Sequence, residues 1–122
     1  MASNRAQHQE DAKLRIMRLI NENPELSSRQ IAERVGVSNG SAYYILSALI
    51  EKGLVKLGNF KENPKKKQYV YLLTRMGIKE KSILTYSFIK RKRNEFENLR
   101  KEIDILENEL KINLDTDYVS NK

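Results

Sequence analysis

The side chains of this 122-residue sequence that could do chemistry are suited to holding a polyanion, not to breaking bonds. Its one histidine, His8, lies in a polar stretch, and cysteine is absent. The acidic residues follow no metal-ligand spacing and form no general acid–base pair, and there is no glycine-rich phosphate loop. These absences predict a non-enzyme with no catalytic residue, no metal and no cofactor. Hydrogen-bonding and cationic side chains instead collect in three places. Ser28, Arg29 and Gln30 follow a serine at a helix start. Ser38, Asn39, Gly40, Ser41, Tyr43, Tyr44 and Ser47 fall in the next helical stretch. Lys61, Lys65, Lys66 and Lys67 occupy a loop. Amides, hydroxyls and phenols bond base edges, while cations and helix N-termini hold phosphates.

Charge follows the same division. The net charge is +7, but residues 1–50 hold 6 basic and 5 acidic side chains, residues 51–101 hold 15 and 5, and residues 102–122 hold 2 and 6. Positive charge concentrated in one stretch is the electrostatic signature of a nucleic-acid binder. Composition is that of an ordinary soluble domain, with 39% apolar and 32% charged residues. No apolar run approaches the ~20 residues that span a bilayer, and the first ten residues lack the core of a secretory signal. With no cysteine, these features predict a cytoplasmic protein without membrane contact, and they exclude disulfides and thiol sensing.

Periodicity supplies the elements that must carry these side chains. Leu14, Met17 (with Ile16 beside it) and Ile20 mark one face of a helix over Asp11–Asn21, broken at Asn23-Pro24. Ser27 and Gln30 form a capping box, flanked by Leu26 and Ile31 as a hydrophobic staple, and Gly36 stops that helix. Ser38 caps a third helix with Ala42, Ile45 or Leu46, and Leu49 inward, closed at Gly53. Small Ala32 belongs where the two helices cross, and Val37 belongs in the core. Leu54–Leu57 and Gln68–Leu73 then read as strands around a basic loop. Thr74 caps a long helix over Arg75–Asn113, with Gly77 and Thr85–Ser87 as potential interruptions. Its later part repeats every seven residues: Ile89, Phe96, Ile103 and Leu110 at one core position, Leu99 and Leu106 at the other.

Helix, helix-turn-helix and hairpin in that order predict an α+β, mainly helical fold: a winged helix-turn-helix with a long C-terminal dimerisation helix. The expected divisions are a polar N-terminal tail at 1–10, the winged domain at 11–75, a dimerisation segment at 76–113 and a flexible tail at 114–122. If Ala42, Leu46 and Leu49 face the core, the polar and tyrosine positions of the third helix face outward, with no Arg or Lys among them. The alternative for each tyrosine is packing against the first helix. The heptad stripe predicts a homodimer, its alternative being a fold-back onto the same chain. Flanking charges leave the orientation of a helix pair open: in a parallel pair Glu95 meets Arg100, but Glu102 meets Glu107. Lys90-Arg91-Lys92-Arg93 reads either as an extension of the nucleic-acid footprint or as a solvated helix face.

Leu49-Ile50-Glu51-Lys52-Gly53-Leu54-Val55 and Leu72-Leu73-Thr74-Arg75-Met76-Gly77 resemble the recognition-helix exit and the post-wing exit of MarR-type regulators. Tyr43-Tyr44-Ile45-Leu46, Gly58-Asn59-Phe60 and Phe88-Ile89-Lys90-Arg91-Lys92 are similar to motifs of a small MarR subfamily associated with exopolysaccharide gene clusters. The resemblance spans residues 14 to about 110. It implies sequence-specific binding to double-stranded DNA, transcription regulation and, more finely, control of exopolysaccharide genes. Two departures matter. The long N-terminal dimerisation helix of typical MarR proteins is missing, and Pro64-Lys65-Lys66-Lys67-Gln68 stands where many carry an Asp-x-Arg pair in the wing. A winged-helix protein-interaction scaffold and an RNA-binding module are the alternative functions. Nothing in the sequence names an effector ligand.

Overall fold

The computed structural model of the protein describes residues 4–59 and 69–120. It contains α1 (Asn4–Glu22), α2 (Ser28–Val35), α3 (Asn39–Glu51), β1 (Val55–Asn59), β2 (Tyr69–Leu73) and α4 (Arg75–Ser120). The chain divides into two compact units, residues 1–86 and 87–122.

The first unit is the winged helix. β1 and β2 pair antiparallel, Val55 opposite Leu73 and Asn59 opposite Tyr69. One apolar core joins α1, α2, α3 and the strand stem: Ile16, Met17, Ile20, Ile31, Leu46, Leu49 and Val55 are all fully buried. Burying side chains of this size stabilises by roughly 1.5–3 kcal/mol each, before the entropy of ordering them is subtracted. The inward stripes of α1 and α3 are those expected from periodicity.

The turns are built locally. Ser27 accepts from the Gln30 amide while the Gln30 side chain accepts from the Ser27 amide, at 3.2 and 2.9 Å. Gly36 leaves α2 at φ 80°, and the amides of Gly36 and Val37 both donate to the Ala32 carbonyl. α3 ends in a Schellman turn. The Leu54 amide donates to Leu49 O at 2.9 Å and the Gly53 amide to Ile50 O at 3.0 Å, with Gly53 at φ 75°. Ala32 is buried, and Val37 packs partly buried against the core.

Several boundaries differ from expectation: β1 runs Val55–Asn59, not Leu54–Leu57, because Gly58 and Asn59 still pair with Val70 and Tyr69. α1 starts at Asn4, so residues 4–10 are helical and not a tail. Arg5, Ala6, Gln7, Gln9 and Glu10 are good helix formers, and a helix without an apolar stripe still propagates once its neighbours nucleate it. α4 runs without interruption through Gly77 and Thr85–Ser87 and on to Ser120, past Asn113 and into the expected tail. No glycine or proline follows Gly77 to stop it. Ser82 and Thr85 bond back within the helix, Ser82 Oγ to Ile78 O and Thr85 Oγ1 to Lys81 O.

The second unit is the distal part of α4. Every described side chain from Lys92 to Thr116 is exposed in the single chain. No helix among the described residues is long and apolar enough to cross a membrane.

Candidate nucleic-acid interface

The outer face of α3 begins with its cap. Ser38 Oγ accepts from the Ser41 amide at 3.1 Å and donates to Ser41 Oγ at 2.9 Å. The Ser38 hydroxyl is therefore engaged in holding the helix start, and the Ser41 hydroxyl keeps its proton for an outside acceptor. With Ala42, Leu46 and Leu49 buried, the 3.6-residue period turns Gly40, Tyr43, Tyr44 and Ser47 to the opposite side.

Asn39, Gly40, Ser41, Tyr43, Tyr44 and Ser47 are all exposed. Tyr43 and Tyr44 are 69% and 72% exposed, which removes the packing alternative for both. Gly40 has open space where a side chain would stand, so its turn of α3 can approach another surface closely. No cation lies on this face before Lys52, which is exposed where the helix ends, and Glu51 is exposed beside it. In the first turn of α2, Arg29 and Gln30 are exposed and Ser28 is half-buried. The Gln30 side-chain oxygen is occupied by the capping box, leaving its NH2 free to donate elsewhere. Lys56 on β1 is also exposed and had no distinguishing signal in the sequence. Lys61, Lys65, Lys66 and Lys67 lie outside the described residues.

A groove of about 580 Å³ runs between α1 and α3, with Gln9, Lys13, Ser41, Tyr44, Ala48 and Lys52 among its walls. Lys13 there is already paired with Glu80 at 3.8 Å. Among the described residues no group of His, Cys, Asp or Glu is placed to hold a metal. His8 is exposed.

α4 is fastened to the exit turn of α3. The Thr74 amide donates to Leu54 O at 3.0 Å, and its hydroxyl donates to Gly53 O at 2.6 Å. That hydroxyl also accepts from the Gly77 amide at 3.0 Å, capping α4. In the sequence Thr74 showed only as a cap; the tie to α3 depends on a contact across 21 residues.

In the distal part of α4, Ile89, Phe96, Leu99, Ile103, Leu106 and Leu110 are exposed, and Leu114 continues the stripe four residues on. Leu114 was missed because the heptad rhythm places Asn113 at the next core position. Within the basic run, Arg91 and Lys92 lie 5.2 and 5.3 Å from the centre of the Phe88 ring, and Lys92 bonds Glu95 at 3.1 Å.

Residues 9–56 match the family described as winged helix-turn-helix DNA-binding. The match runs from α1 to the start of β1, the stretch that holds all three helices of the first core. No curated protein matches the chain. Among solved structures it is similar to MarR of Staphylococcus aureus in complex with salicylate and kanamycin, at 22% identity and TM-score 0.54, covering 84% of this chain and 71% of that one. It is similar to a MarR/EmrR family regulator from Acinetobacter sp. ADP1, at 19% identity and TM-score 0.60, covering 85% and 75%. It is similar to MepR, a transcription regulator of the Staphylococcus aureus multidrug efflux pump MepA, at 18% identity and TM-score 0.57, covering 92% and 78%. The fold is that of these MarR-type proteins, two of which are described as transcription regulators.

Proposed function

We propose that this chain is a dimeric transcription regulator of the MarR type that binds specific sites on double-stranded DNA. The observation that carries the reading is the outer face of α3. It is a capped helix presenting amide, hydroxyl and phenol groups to solvent while its opposite side is buried in the core. A helix of this width fits the major groove. Asn39, Gly40, Ser41, Tyr43, Tyr44 and Ser47 read bases. Ser28, Arg29 and Gln30, together with Lys61, Lys65, Lys66 and Lys67 of the wing, hold phosphates. With no arginine on the reading face, the bidentate arginine–guanine contact is absent. Asn39 matches adenine, and the tyrosine rings match the thymine methyl, so the site leans to A·T with a share of shape readout.

A second copy of the chain covers the distal stripe of α4. Seven apolar side chains from Ile89 to Leu114, spaced for helix pairing and exposed in one chain, support this occupant. A two-fold dimer presents two reading helices to half-sites about one helical turn, or a multiple of it, apart. The finer resemblance makes promoters of exopolysaccharide genes the first to test.

Footprinting on DNA upstream of its own gene and neighbouring genes tests the reading. The expected result is two protected half-sites in dyad arrangement with an A·T-rich core. Absence of any sequence-dependent protection at physiological salt would overturn it, and a G·C-rich core contacted by α3 would overturn the base preference alone.

A further inference from the structure

We infer that Gly40 and Ser41, in the first turn of α3, together read thymine: the Ser41 hydroxyl donates to thymine O4, and the vacant side-chain space at Gly40 receives the thymine methyl group. The inference rests on the reading above, in which the outer face of α3 enters the major groove, and it names the base that this turn selects. Its own basis is a glycine that the fold does not need and a serine hydroxyl that is only half used.

Gly40 has no structural task among the described residues. The glycines with positive φ are Gly36 and Gly53, so no left-handed conformation calls for glycine at position 40. A Cβ there would meet nothing within 4 Å, so no close approach inside the fold calls for it either. Gly77 is the contrast, because its Cβ would overlap the Leu54 carbonyl oxygen. Glycine is less stable than alanine in a helix, since it loses more backbone freedom. Nothing within the chain offsets that cost at Gly40. What the glycine leaves is an exposed notch the size of a methyl group on the outer side of α3, next to Ser41.

Ser41 is polarised by its neighbour. Ser38 Oγ accepts from the Ser41 amide at 3.1 Å and donates to Ser41 Oγ at 2.9 Å. An oxygen that accepts from an amide at the positive end of a helix becomes a stronger donor in turn, so the pair is polarised outward from the amide. Ser41 Oγ spends one lone pair inside the turn and keeps its proton for an outside acceptor. On the major-groove edge, thymine alone carries an acceptor, O4, beside a methyl group. Adenine and guanine have acceptors and no methyl group, and cytosine offers an amino donor. A donor next to a methyl-sized notch fits thymine on both counts.

The test uses the full chain and the binding site that footprinting defines. Each thymine of one half-site is replaced in turn by uracil, which lacks the methyl group, and by 5-methylcytosine paired with guanine, which keeps the methyl group and carries an amino group in place of O4. At one thymine both changes are expected to weaken wild-type binding: about fourfold with uracil, the equivalent of one buried methyl-sized group, and about tenfold with 5-methylcytosine. Gly40→Ala fills the notch. It is expected to bind the thymine site about tenfold more weakly than wild type and to prefer uracil at that position, because the missing methyl group makes room for the alanine. Ser41→Ala is expected to keep the preference for thymine over uracil and to lose the discrimination against 5-methylcytosine.

A site in which no thymine responds to both changes overturns the inference, and this scan on the unmodified chain decides alone if a variant does not fold. A G40A chain that still prefers thymine to uracil at that position overturns it too, as does an S41A chain that still rejects 5-methylcytosine. A wild-type preference for 5-methylcytosine over thymine there also overturns it, since Ser41 would then accept and not donate. A wild-type chain with no sequence-dependent binding takes down the functional reading and this inference together, and that result appears before any base is changed.

Discussion

Replacing Gly77 with alanine inverts the usual rule for helices. Alanine in a helix interior is favoured over glycine by about 1 kcal/mol, because glycine loses more backbone freedom. At Gly77 the added Cβ would overlap the Leu54 carbonyl oxygen, with the Leu54 carbonyl carbon 3.0 Å and its Cα 3.4 Å away. These are backbone atoms held by the Schellman turn, so they do not swing aside as a side-chain end would. α4 must lift from the turn. Lifting breaks the Thr74 bonds to Gly53 O and Leu54 O, each worth about 0.5–1.5 kcal/mol, and loosens the contact that buries Leu54. A loss of about 3 kcal/mol against a gain of about 1 leaves G77A destabilised by about 2 kcal/mol. For a domain of this size that lowers Tm by roughly 10 °C. Urea and thermal unfolding followed by circular dichroism measure it, with Gly40→Ala as the control. Gly40 is also helical, but its Cβ would meet nothing within 4 Å, so G40A is expected to hold or raise stability by up to about 1 kcal/mol. A G77A protein as stable as wild type would refute the packing of α4 on Leu54.

Three other outcomes follow from the exposed faces. Tyr43→Ala is expected to leave unfolding within about 0.5 kcal/mol of wild type while weakening discrimination for the specific site by about 1–3 kcal/mol, measured by competition against random DNA. Neutralising Lys65, Lys66 and Lys67 together is expected to weaken binding to all sequences alike and to lower the salt slope by up to about 0.9 per lost phosphate contact; an unchanged slope removes the wing from the contact set. Leu106→Lys puts a charge into the apolar stripe of α4, at a cost of several kcal/mol to a buried helix pair. Sedimentation is expected to show the variant as a monomer, and a variant that still sediments as a dimer places the interface elsewhere.

The exit turn of α3 was legible in one half and hidden in the other. Gly53 announced the turn, because only a residue tolerant of φ 75° ends a helix that way. That Gly77 meets the same turn had no local sign, since a glycine near a helix start ordinarily suggests weakness in the helix. Tyr43 and Tyr44 were similar. Their positions on α3 were plain, but two readings fitted until the path of α1 left both rings in solvent. In the tail regions the apolar pattern misled, because the polar residues before Asp11 carry helix propensity without an apolar stripe.

What the chain settled by itself is whatever depends on a few neighbouring residues. The capping box at Ser27, the stop at Gly36, the cap at Ser38 and the inward stripes of α1 and α3 each follow from hydrogen bonds or side-chain periods within one or two turns. Only the tertiary structure decided the tie between Thr74 and Gly53, the close approach of Gly77 to Leu54, and the outward turn of both tyrosines. Those features join segments brought together by burial of one shared core, and the free energy that selects them belongs to the packed domain, not to any stretch of sequence that contributes to it.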